Sequence, residues 1–157
     1  MVSMSSKLST LVVVTAALGL AGCGGSSSNS TSHVSAPKNG VRGRIYRVSL
    51  SGKAETPPGA PNGAGSAVIA LHSSLKVCWR FSHVRGFTDA TFAHIHRGDA
   101  GTAGPIVIPL STTGKLHHKG CVPTTAAMIR AIEQDPAGYY VNIHSKEYPA
   151  GAVRAQL

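Results

Sequence analysis

Two histidines one residue apart, His94 and His96, stand in the segment TFAHIHRGDAGTAGPIVIPL, residues 91–110. On a strand, side chains at i and i+2 point to the same side. The two imidazoles therefore share a face with Phe92, while Ala93 and Ile95 share the other. Such a pair can chelate one metal ion if a neighbouring strand supplies a third ligand. His144, in YYVNIHS, is the candidate: by the same parity it lies with Tyr140 and Asn142, and Val141 and Ile143 point inward. Three neutral imidazoles suit copper, zinc, nickel or iron, and copper or zinc is the ion such a site would take on this reading. A second reading stands beside it. Histidines exposed on a sheet can hydrogen-bond Asn142, a backbone carbonyl or Glu55, and so form a polar network that sets register.

Acid–base or nucleophilic chemistry has less to stand on. The six carboxylates, Glu55, Asp89, Asp99, Glu133, Asp135 and Glu147, form no evident catalytic pair. No serine sits in a nucleophile elbow, and no phosphate-cradling glycine loop follows a strand. The expectation is a binding or structural module with no catalytic residues, rather than an enzyme.

The elements that must position the histidines follow from pattern. The hydrophobic share of 42% suffices for one core, and 18 glycines with 9 prolines punctuate the chain into short segments. Alternation predicts strands over 44–52, 66–74, 76–84, 90–98, 105–110, 115–122, 138–145 and 151–157, the last two as a hairpin. Residues 55–65 are a Pro/Gly-rich loop. Met128, Ile129 and Ile132 fall at helical spacing between a threonine and Asp135-Pro136, which predicts one short helix within 124–138. The fold class is all-β: an immunoglobulin-like or Greek-key sandwich or barrel of about eight short strands.

The N-terminus has the layout of an export segment. Lys7 precedes an apolar run over 11–20, shorter than the ~20 residues of a membrane span. It ends in Leu20-Ala21-Gly22-Cys23, which resembles a bacterial lipobox. That resemblance implies a lipoprotein signal peptide over 1–22, a diacylglyceryl group on Cys23, and a home on the outer face of a membrane in a bacterial cell envelope. Residues 23–40 are Ser/Gly-rich and read as a tether, with the folded domain over 41–157. Two cysteines remain. Cys78 and Cys121 each lie in a strand-like segment, and an exported compartment permits a disulfide between them; two buried thiols are the alternative.

The net charge of +9 is spread along the chain. Arg42-Gly43-Arg44 is its only local cluster, and no basic helix or aromatic–basic interleaving appears. Nucleic acid is therefore not the expected partner. A membrane, reached through the lipid anchor, and an envelope or extracellular protein are.

Taken in order, SLSGKAETPPG, VCWRFS, AHIHRGDAGTAGPIVIPL, GCVP and PAGYYVNIHSKEYPAGAVRAQL resemble the CHRD domain, first named in chordin and found in bacterial exported proteins. The resemblance spans residues 41–157, with Lys53 and Ala54 standing where acidic or polar residues are more usual. It implies an immunoglobulin-like β-structure and names no activity. The His-x-His strand and its loop also resemble, over that segment alone, copper–zinc superoxide dismutases. The loop is too short for a zinc subsite, and the adjacent His117 and His118 point opposite ways on a strand. Dismutase activity is thus the third and least supported reading, since a shared layout does not carry function.

Overall fold

The computed structural model describes residues 40–157. The expected signal peptide over 1–22, Cys23, and the tether as far as residue 39 lie outside the described residues. The chain forms β1 (Arg44–Ser51), β2 (Ala64–His72), β3 (Lys76–Arg85), β4 (Ala90–Arg97), β5 (Ile106–Ser111), β6 (Lys119–Pro123), α1 (Ala126–Gln134), β7 (Tyr139–Ser145) and β8 (Val153–Gln156). No helix among the described residues is long and apolar enough to cross a membrane.

All strand pairs are antiparallel and join one sheet in the order β5-β4-β7-β8-β1-β2-β3-β6. The edge strands β5 and β6 come into contact, so the sheet curls into a nearly closed barrel. This is the all-β, eight-stranded architecture that the alternation predicts, with β7 and β8 paired as the expected hairpin.

The inward residues of alternating strands build the core. Ala67, Ile69 and Leu71 from β2 meet Val77, Trp79 and Phe81 from β3, and Ile95, Val141, Ile143 and Val153 join them. Trp79 keeps its indole N–H satisfied by donating to the His117 carbonyl at 2.9 Å, the pairing a buried indole requires. The helix starts where Thr125 Oγ1 accepts from the Met128 amide at 3.1 Å. It stops before Pro136, which lacks an N–H to continue it. Its Ile129 and Ile132 are fully buried, each worth about 1.5–3 kcal/mol of apolar burial.

Cys78 and Cys121 are direct partners across β3 and β6 and form a disulfide. Strand pairing sets them opposite each other, and their Cα atoms are 4.0 Å apart in the bonded pair.

Candidate metal centre

β7 lies between β4 and β8, and all of its residues are buried. One face is core: Val141 and Ile143. The other carries Tyr140, Asn142 and His144, and loops cover it. This differs from an exposed polar face of histidines. His96, Asn142, His144 and Glu55 are all buried, and only His94 is partly open. The reason is long-range. The loop after β1 folds back so that Glu55 packs against Gly151, and the loop after β4 is pulled down by Arg154.

Register sets the histidines. His94 stands opposite Asn142 and His96 opposite Tyr140 across β4 and β7. His144, two residues beyond Asn142, is then the diagonal neighbour of His94. Ring centroids are 4.9 Å apart for His94 and His144, 5.6 Å for His94 and His96, and 6.1 Å for His96 and His144. One nitrogen from each of the three rings lies within 4.8 Å of the others. The set expected from strand parity is thus brought together in space.

The hydrogen bonds decide which nitrogens are available. His96 Nδ1 lies 2.8 Å from the Gly104 carbonyl, and His144 Nδ1 2.9 Å from the Pro149 carbonyl. A carbonyl only accepts, so both Nδ1 atoms carry hydrogen and both Nε2 atoms hold lone pairs. His96 Nε2 is buried without a hydrogen-bond partner among the described residues. His94 Nδ1 lies 3.0 Å from His144 Nε2, and donates to it when no ion is bound. Asn142 and Glu55 are buried on the same covered face, with Asn142 opposite His94 across β4 and β7. Their Oδ1 and Oε1 atoms are the other two buried side-chain atoms without a partner among the described residues.

The outer supports were not legible in advance. Tyr140 stacks on His96 at 4.8 Å with the rings 7° apart, and the Arg154 guanidinium sits 3.4 Å from the Tyr140 ring centre. Arg154 is only 1% exposed. It donates to the Asp99 carbonyl at 2.7 Å and the Thr102 carbonyl at 2.9 Å, and it also bonds Gln156. The same loop presents Gly104, whose N–H donates to Tyr140 Oη at 3.2 Å and whose carbonyl holds His96. A basic residue near the end of a β-rich chain carries no signal of this role.

The CHRD domain family model matches residues 46–157. The chain belongs to the CHRD domain family. No curated protein and no solved structure matches it. Membership makes this CHRD domain a binding or structural module without assigning it a ligand.

Electrostatics keep the imidazoles of the CHRD domain neutral. Burial, then the charges that His144 and His96 would carry, lowers His94 to about 4. Burial also lowers His96, although the Gly104 carbonyl and Asn142 pull the other way. Burial lowers His144 against the Pro149 carbonyl. Glu55 moves oppositely: burial raises it to about 7 despite Arg154, Asn142 and the Thr56 amide, which favour the anion.

These shifts predict the pH dependence of the metal-free domain. Unfolded histidines take up protons near 6.5 while the folded ones resist, so the unfolded state binds more protons below that pH. Stability then falls as pH drops from about 6.5 towards 4. Glu55 opposes this, since its folded carboxyl holds a proton the unfolded one releases above about 4.5. Three histidines outweigh one carboxyl. Urea midpoints at pH 7, 5.5 and 4.5 should decline in that order; a flat or rising series contradicts the assignment.

Proposed function

We propose that this CHRD domain is an exported, lipid-anchored module that binds one copper or zinc ion through His94, His96 and His144. The observation that carries the reading is the pair of backbone carbonyls on Nδ1 of His96 and His144. Metal-bound histidines are held in this way through their second nitrogen, which fixes tautomer and orientation. An orphaned buried lone pair is otherwise costly, and His96 Nε2 is such an atom. Two nitrogens bound tetrahedrally to zinc at about 2.0–2.1 Å sit about 3.3 Å apart, and His94 Nδ1 and His144 Nε2 are 3.0 Å apart. His94 would use Nδ1 after its hydrogen moves to Nε2. No fourth His, Cys, Asp or Glu joins the group among the described residues, which leaves a position for water or an exogenous ligand, as in open rather than closed sites.

The anchor reading rests on Leu20-Ala21-Gly22-Cys23 after an apolar run, and the mass of the mature N-terminal peptide tests it. The metal reading is tested by calorimetric titration of the soluble domain with zinc or copper(II). One equivalent should bind, and His94→Ala with His144→Ala should abolish binding. Uptake no greater than that of the double variant overturns the reading.

A further inference from the structure

Basic residues spread along the sequence gather on one wall of the barrel. Strand register aligns the outward side chains of β1, β2, β3 and β6 in rows. Arg47 stands opposite Val68, Val68 opposite Arg80, and Arg80 opposite Lys119. The next row is apolar: Ile45 opposite Ala70, Ala70 opposite Cys78, and Cys78 bonded to Cys121. Beyond it, Lys76 stands opposite His72. Arg47, Lys76, Arg80 and Lys119 are exposed, and Ile45 is 58% exposed.

None of the chain's six carboxylates lies on these four strands. None of the four cations is ion-paired among the described residues. Arg80 and Lys119 face each other directly across two strands, a like-charge pair that destabilises a sheet standing alone. An anionic partner relieves that repulsion.

We propose that this wall docks on an anionic phospholipid bilayer, with its cations at headgroup phosphates and Ile45 entering the interface. The placement rests on the lipid-anchor reading. β1 begins four residues after Gly40, and the chain from Cys23 to Gly40 reaches at most about 60 Å, so the anchor holds this wall at high effective concentration beside the membrane. The apolar row favours a bilayer over a soluble polyanion, which offers Ile45 no interface to enter. The histidines sit on β4 and β7, well round the sheet from β2 and β3, so docking does not involve them.

Residues 40–157 contain the whole described core, so the domain can be tested without lipid. Sedimentation with phosphatidylcholine vesicles, and with vesicles also containing phosphatidylglycerol, reads the partition directly. Binding is expected only to the anionic vesicles and only at low salt. Arg80→Gln with Lys119→Gln should cut the partition coefficient about tenfold or more. Ile45→Ser should lower it without changing retention on heparin, and Lys53→Gln with Lys115→Gln should leave it unchanged. Equal partition of the two double variants overturns the proposal, as does heparin retention without vesicle binding. An unmodified Cys23 in the mature protein would remove the anchor and leave this result standing.

Discussion

Arg154→Ala is expected to destabilise the domain by about 3–5 kcal/mol, lowering its melting temperature by roughly 10–20 °C. The guanidinium is 1% exposed and holds the carbonyls of Asp99 and Thr102 together with Gln156. Truncation leaves those acceptors without their donor, opens a void, and removes the cation from the Tyr140 ring. The effect should reach the histidines. The loop that Arg154 holds also carries Gly104, which fixes His96 Nδ1, and loss of such an outer support costs metal affinity about 10–100-fold. Arg154→Lys should recover little of either, because an ammonium cannot reproduce the planar fork. Thermal melts and metal titrations of both variants check this. A melting point within 2–3 °C of the parent, about the effect of a surface substitution, would show that the guanidinium is not structural.

Removing the disulfide should give a loss of similar size with a different consequence. Cys78 and Cys121 close a loop of 43 residues, for which the chain-entropy model gives about 4 kcal/mol as a ceiling. Cys78→Ala with Cys121→Ala leaves small side chains on the outer face of β3 and β6, so it leaves the hydrophobic core unchanged. Urea unfolding should show a lower midpoint, while metal affinity measured under folding conditions stays within about twofold, since distant sites without shared partners act independently. Together the two variants separate global stability from the geometry of the site. A disulfide-free domain that had lost metal binding while still folded would mean that β3 and β6 shape the centre.

Much of this arrangement follows from local pattern. Alternation places Ile69, Val77, Trp79 and Phe81 inside, because side-chain parity on a strand needs only neighbouring residues. Thr125 and Pro136 bound the one helix for equally local reasons. The same parity puts His94 and His96 on one side and His144 with Tyr140 and Asn142. What parity cannot supply is strand order. Only the pairing of β4 with β7 makes His144 the diagonal neighbour of His94.

Only the tertiary structure decided that the histidine face is covered. Loops close over β7, so His96, Asn142 and His144 become buried groups. Burial then disfavours the charged forms of His96 and His144, and the carbonyls of Gly104 and Pro149 select their tautomers. Arg154 and the cationic wall share that origin. Arg47, Arg80 and Lys119 are far apart in the chain, and register alone places them in a row. Sequence by itself determined which residues could do chemistry and which way each would point on its own strand. Contacts between residues distant along the chain decided which of them meet, and how dry the place is where they meet.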